Sequence, residues 1–251
     1  MTTVIYEDSD FVACDSKWAC ENTFLAINDH IISKYVYFKR NENNYIAFFA
    51  GDEYPIVSYQ ALYQEGITHE EFLEQTTRQA ELDLSIEWLI IDASDGSYVS
   101  TNATMGWFFQ LRHLGTGGLY AAHFFHYSKA LSYNSEHKNN VVGAMKYAYH
   151  KDEAFSGPPF TLKSWNDKHP IDDTVDNYHH LYTDTLISRL GELKMNYQNG
   201  QKSAALPNVA KLSSVNRDNS SLPPLKTSPS NGSPKVTVSG AISMLSLLNS
   251  L

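Results

Sequence analysis

The sequence predicts a layered α+β fold, and three observations predict it. Short apolar runs broken by Asn, Asp and Glu turns fill the chain as far as Gly51. Two helical patterns follow, and the same order then repeats between residues 87 and 150. Strand-rich blocks alternating with helix pairs favour layered packing over a doubly wound parallel sheet.

The elements can be justified in order. Val4 to Tyr6, Phe11 to Cys14, Thr23 to Ile27, Ile31 to Phe38 and Tyr45 to Ala50 read as antiparallel strands. Pro55 to Gln64 places Ile56, Val57, Tyr59, Leu62 and Tyr63 at helical spacing. Thr68 to Leu82 opens on Thr-His-Glu-Glu, a helix-start signature. Glu87 to Ala93 and Tyr98 to Ser100 flank an Asp95-Gly96 hairpin signal, and Trp107 to Leu114 continues the strands. After Gly115-Thr116-Gly117-Gly118, helices are expected over Leu119 to Tyr133 and Asn139 to His150. Asp172 to Tyr197 reads as a further helix.

Composition narrows the function classes. With 251 residues, 42% hydrophobic and 13% aromatic, the chain can bury a sizeable core. A formal charge of −9 without a basic run argues against a nucleic-acid surface, which must neutralise phosphates. No apolar stretch approaches the ~20 residues of a membrane span, and the basic-then-apolar layout of a secretory signal is missing, so a cytoplasmic protein is expected. Cys14 and Cys20 are too few for a disulfide framework and are expected to be reduced and structural.

The C-terminal third changes character. Residues 199–233 are rich in Ser, Asn, Pro and Lys and read as a disordered tether. Val236 to Leu251 turns apolar again and is expected to dock into a groove on a neighbouring subunit or partner, with folding back on its own chain as the blander reading. The expected organisation is a core over 1–165, a helical extension over 166–198, a linker over 199–235 and an apolar docking segment over 236–251.

The opening Met1-Thr2-Thr3-Val4-Ile5-Tyr6 carries the chemical signal. Removing Met1 would expose a threonine whose amine can serve as base for its own hydroxyl, so that one residue supplies nucleophile and base. Further landmarks follow in order: Ala13-Cys14-Asp15-Ser16, Ser33-Lys34 leading into Tyr35-Val36-Tyr37-Phe38, Ile46 to Gly51, Leu114 to Gly118, and Asp152 to Gly157. Together they resemble the proteasome β-subunit family, most closely its bacterial HslV-type peptidases, over about residues 2 to 162. Thr116 stands for the usual serine, Asp52 for a common glycine, and Asp152 lies one residue further from Ser156 than the family spacing, so Glu153 competes for its role.

The resemblance implies an N-terminal nucleophile hydrolase fold, a four-layer αββα sandwich of two antiparallel sheets. It implies a threonine endopeptidase that cuts polypeptides inside a homo-oligomeric ring, needs no cofactor, and works with an ATP-driven unfoldase. This chain lacks the nucleotide-binding loop such a partner needs. By the same resemblance Thr2 is the nucleophile and Lys34, paired with Asp15, the cation that lowers the amine's pKa. Gly51 N–H is the oxyanion donor, a role worth about 3–4 kcal/mol elsewhere. Thr116 and Ser156 would hydrogen-bond the amine, Asp152 would hold them, and Phe49 would floor a pocket for small or medium apolar side chains.

Blander readings stand beside these. Lys34 could occupy the solvent face of an edge strand, and Gly51 could be an ordinary strand-to-helix glycine. His123 with His126, and the His179-His180 pair, suit packing better than a metal, since no correctly spaced carboxylate accompanies them. Cys14 beside Asp15 could be recast as a thiol nucleophile, but no histidine is placed near it by the sequence. A silent ring or scaffold subunit and a small-molecule amidase of the same nucleophile group are the alternative functions.

Overall fold

The computed structural model describes residues 2–19, 26–27, 32–102, 106–108, 111–131, 137–166, 170–198 and 234–251. The tether expected over 199–233 and residues 23–25 of an expected strand lie outside them. The chain opens with β1 (Val4–Glu7), β2 (Phe11–Asp15) and a short pair, β3 (Trp18–Ala19) and β4 (Ala26–Ile27). Then come β5 (Tyr35–Arg40), β6 (Asn43–Gly51), α1 (Glu53–Tyr63) and α2 (His69–Glu81). Strands β7 (Ile86–Asp92), β8 (Tyr98–Thr101), β9 (Gly106–Phe108) and β10 (Leu111–Leu114) lead into α3 (Gly115–Ala130) and α4 (His137–Lys151). Last are β11 (Phe160–Ser164), β12 (Ile171–Asp172), α5 (His180–Gln198) and α6 (Val238–Ser250).

Beside the two-stranded β3-β4 pair, the described residues form two larger antiparallel sheets, in the orders β12-β11-β2-β1-β10-β9 and β5-β6-β7-β8. The first strand block therefore divides: β1 and β2 join the six-stranded sheet, while β5 and β6 found the four-stranded one. The β5–β6 turn shows why these two strands pair with each other. Asn41 and Glu42 both have positive φ (46° and 72°), the twist-matched geometry of a two-residue hairpin, and set Arg40 opposite Asn43.

Alternation along β6 builds two apolar layers at once. Tyr45, Ala47 and Phe49 face a core shared with α1, α5 and α6, while Ile46, Phe48 and Ala50 face Val4, Tyr6, Val12 and Cys14 of the other sheet. A third layer joins Ile5, Phe11 and Ala13 to Phe125 of α3 and Met145 of α4. The result is four layers, helices outside two face-to-face sheets. Each large side chain buried there contributes about 1.5–3 kcal/mol. Every residue of α1 from Tyr54 to Tyr63 is buried, because α1 has the sheet on one side and other helices on the other.

Several boundaries differ from those read in the sequence. Trp107 to Leu114 is a hairpin rather than one strand, with Leu111 opposite Phe108. The strand β11, hidden behind Pro158-Pro159, pairs with β2 and places Phe160 opposite Asp15. The third helix starts at Gly115, four residues earlier than the apolar periodicity suggested, because three of those residues are glycines that give no apolar signal. The helix expected from Asp172 starts at His180; Thr174 and Tyr178 instead donate backbone N–H groups to Asp172 and Asp176, local turns that compete with helix. At the expected Thr-His-Glu-Glu helix start, Thr68 and Glu71 form a capping box, through bonds of 3.1 and 2.8 Å.

The apolar end docks on its own chain. Ala241, Met244, Leu245 and Leu248 of α6 are buried in the α1–α2–α5 layer, and the Tyr63 hydroxyl donates to Met244 Sδ at 3.2 Å.

One half-buried base in the six-stranded sheet should be visible in stability. His113 sits opposite Ile5, and its Nε2 is buried without a hydrogen-bond partner among the described residues. Burial first, then the nearby His123, lowers its pKa from 6.5 to about 4. A histidine that stays neutral when folded but protonates when unfolded gives the unfolded chain the extra proton, so stability falls as pH drops from 6.5 toward 4. Urea denaturation should show a loss of about 2 kcal/mol between pH 7 and pH 5 from this group, and His113→Gln should lose that increment. An equal pH slope in the variant would contradict the assignment.

Candidate active site

The site is assembled where the two sheets meet. The β1–β2 ladder runs one pair past Val4 and Cys14, with Asp15 N–H donating to the Thr3 carbonyl at 3.0 Å. Thr3 returns its own N–H to the Asp15 side chain, Oδ1, at 3.1 Å. Lys34, just ahead of β5 in the other sheet, donates Nζ to the same Oδ1 at 3.3 Å. Gly157 N–H donates to Asp15 Oδ2 at 3.2 Å. One carboxylate thus ties the head of the chain, the second sheet and the loop after α4.

Lys34 is not on a solvent face. Its side chain is 2% exposed and that of Asp15 0% exposed, and the ammonium also stands 5.3 Å from the Trp18 ring centroid. Burial pushes the Asp15 carboxyl up from its ordinary pKa, while Lys34 and the two backbone N–H groups pull it down. Such a pair persists in a low-dielectric interior only when geometry and extra hydrogen bonds compensate desolvation. Ser33, next to Lys34, is clamped at both backbone groups: its N–H donates to the Tyr182 hydroxyl and its carbonyl accepts from Gln60 Nε2 at 2.7 Å. Helices α5 and α1 therefore hold the backbone from which Lys34 projects.

Thr2, next to Thr3 in the chain, is fully buried, and its Oγ1 has no hydrogen-bond partner among the described residues. The glycines of the α3 entry are there because nothing larger fits. A Cβ on Gly115 (φ +72°) would come 1.9 Å from the Thr2 carbonyl oxygen, and one on Gly117 would meet Thr3 Oγ1 at 1.9 Å. A hydroxyl–carboxylate network backs them. Thr3 Oγ1 donates to Ser156 Oγ at 2.7 Å, and Ser156 and Thr116 each donate to Asp152 Oδ2 at 2.6 Å. Asp152, not Glu153, is the carboxylate in that network; Glu153 offers only its backbone carbonyl, to Lys17 Nζ.

Gly51 ends β6 at φ +126°, so close to Ser85 that a Cβ would lie 2.4 Å from its carbonyl oxygen. Phe49 N–H donates to the Lys34 carbonyl at 2.9 Å. Strand alternation turns the Gly51 N–H toward that same side of β6. Phe49 itself is fully buried, stacked on Tyr63 and edge-on to Tyr59. Cys14 is buried, and burial together with the Asp15 charge pushes its thiol well above the ordinary value, so it is a protonated core residue and no nucleophile.

Solved structures similar to this chain can be set beside this geometry. The chain is similar to HslV of Trypanosoma brucei. That likeness is 14% identity with a TM-score of 0.40, over 65% of this chain and 98% of that one. Another is BPH of Thiobacillus denitrificans in complex with epoxomicin, at 11% identity and TM-score 0.39, over 70% and 100%. A third is Anbu, an ancestral β-subunit, from Yersinia bercovieri, at 13% identity and TM-score 0.39, over 82% and 100%. No protein-family model and no curated protein matches the chain. At these identities and scores the likenesses are descriptive.

The structure brings together Thr2, Asp15, Lys34, Thr116, Asp152 and Ser156 at the head of β1. It adds residues that the sequence did not single out. Thr3 bonds both Asp15 and Ser156, Gly157 bonds Asp15, and Glu87 accepts the Gly115 N–H at 2.7 Å. Only Gly157 carried a sequence signal, as the glycine following Ser156. Among the described residues no helix is long and apolar enough to cross a membrane.

Proposed function

We propose that this chain is a threonine endopeptidase whose nucleophile is Thr2 after loss of Met1. The observation that carries the reading is the Asp15 carboxylate, which accepts from Lys34, Gly157 and Thr3, the residue next to Thr2, whose own buried hydroxyl has no hydrogen-bond partner among the described residues. A free α-amine has a pKa near 7.7–8.0, and a neighbouring ammonium lowers it further, so the amine is neutral and basic near pH 7. Thr2 Oγ attacks the peptide carbonyl while its proton passes to that amine, directly or through a water. Gly51 N–H donates to the oxyanion that develops on the carbonyl. Collapse breaks the C–N bond, the α-ammonium returns the proton to the leaving amine, and an acyl ester remains on Thr2. Water activated by the same amine then hydrolyses the ester and restores the hydroxyl.

The fold resemblance extends the reading to a homo-oligomeric ring in the cytoplasm, a polypeptide substrate threaded to an enclosed site, and a separate ATP-dependent unfoldase. Phe49 is expected to favour small or medium apolar residues before the cut bond. A fluorogenic peptide library should therefore be cleaved after Ala, Val or Leu at least about ten-fold faster than after Asp or Arg. Preference for a charged residue would sink the pocket assignment, and no cleavage of any member would sink the peptidase reading. One observation favours a silent ring subunit instead: Thr2 is fully buried in the unprocessed chain. Retention of Met1 would decide for that alternative, because it blocks the amine.

A further inference from the structure

We propose that the C-terminal segment, residues 234–251, is a positioning clip for the Thr2 site; this rests on the reading of Thr2 and Gly51 given above. The segment enters the four-stranded sheet where β8 has ended. The β7–β8 pairing begins at Leu89 with Thr101, and among the described residues β8 does not reach Leu84 to Ile86, where only the Asn102 side chain donates to the Ile86 carbonyl at 2.9 Å. Residues 234–236 fill that place. Ile86 N–H donates to the Pro234 carbonyl at 3.0 Å, Val236 N–H donates to the Leu84 carbonyl at 2.8 Å, and Ser85 bridges to Lys235. Val236 is buried, and α6 follows at once, anchored in the core by Met244 and Leu248.

The residues so held touch one wall of the site, and Glu87, which follows them, touches the other. Ser85 donates its N–H and its hydroxyl to Asp52 Oδ2 at 2.6 and 3.0 Å, and its carbonyl accepts the Asp52 N–H at 2.9 Å. The same carbonyl and the Ile86 Cα press against Gly51. Glu87, the next residue, accepts the Gly115 N–H at 2.7 Å, and Gly115 packs on the Thr2 carbonyl. Slack at Leu84 to Ile86 would therefore loosen the oxyanion donor on one side and the seat of Thr2 on the other. Misplacement of a reacting group by about 1 Å costs on the order of 100-fold in rate, so a distant clip can govern turnover.

The test uses the full chain and two variants. Val236→Pro removes the N–H that bonds Leu84, and Ser85→Ala removes the hydroxyl that bonds Asp52. Hydrogen exchange is followed in peptides covering 45–54 and 111–118, alongside hydrolysis of an apolar fluorogenic peptide. Val236→Pro should accelerate exchange in both peptides by roughly ten-fold. It should also lower kcat by roughly ten- to hundred-fold while KM moves less than about three-fold. Ser85→Ala should accelerate only the peptide containing Gly51, with a smaller fall in kcat, and it decides the matter should Val236→Pro fail to fold. Unchanged exchange in a folded variant overturns the clip whether or not the chain is a peptidase. Accelerated exchange with wild-type kcat overturns its role in positioning. A wild-type chain without hydrolysis sinks the Thr2 reading instead, and exchange alone then decides whether the segment holds the Gly51 and Gly115 turns.

Discussion

Thr2→Ala is expected to remove peptide hydrolysis altogether, by about 10⁴-fold or more, because the variant keeps the α-amine base but has no hydroxyl nucleophile. Ser9→Ala should leave the rate unchanged. Ser9 sits in the exposed β1–β2 turn, with its hydroxyl on Asp8, at the far end of β1 from Thr2. The stability effect should run the other way. A buried hydroxyl without a partner costs the fold about 1–3 kcal/mol. Thr2→Val, which exchanges that hydroxyl for a methyl of similar size, should therefore be neutral or stabilising in urea while equally inactive. A variant that kept activity would place the nucleophile elsewhere; one that lost activity only by unfolding would remove the evidence for a dedicated hydroxyl.

Asp15→Ala is expected to damage both stability and activity. The carboxylate is the common acceptor for Lys34 Nζ, Thr3 N–H and Gly157 N–H, and both members of the ion pair are buried. Taking the carboxylate from a buried ammonium costs about 3–5 kcal/mol. Hydrolysis should fall by about 10³-fold or more, since the Lys34 cation and the head of β1 lose their common anchor. Asp15→Ala combined with Lys34→Met should recover most of the lost stability, because no buried charge remains, but none of the activity. Recovery of hydrolysis in that double variant would exclude Lys34 from the chemistry; failure to recover stability would mean that the two N–H bonds, rather than the charge, dominate the loss.

The chemistry-bearing side chains were more legible in the sequence than their supports. Thr2, Asp15 and Lys34 flank apolar strands, and a polar residue at such a position asks for an explanation even before a fold is known. Thr3 and Ser85 border β1 and β7 in the same way and Glu87 lies within β7, yet their roles as supports were not legible. Their contributions are contacts to backbone groups and to residues far away in the chain, and neither periodicity nor spacing encodes these. Periodicity announced β5 and β6 as strands but not that they would leave β1 and β2 for another sheet, since alternation fixes which face is apolar and not which strand pairs with it. Strand β11 was missed because five residues behind Pro158-Pro159 are too few for a pattern. Val236 to Leu251 was legible as a segment that must dock. Its seat on α1 and α2 was not, because that groove is formed by residues far earlier in the chain; Tyr63 and Met244, which touch there, are 181 positions apart.

The most direct measurement is the intact mass of the purified chain before and after treatment with a peptide epoxyketone, followed by mapping of the adduct. Such a probe needs a hydroxyl and a free amine on one residue, the combination that Thr2 acquires only when Met1 is gone. The expected result is a chain lacking Met1 that gains one adduct, on Thr2. Retained Met1, or a processed chain with no adduct or with the adduct on another residue, would contradict the assignment of Thr2 as the nucleophile.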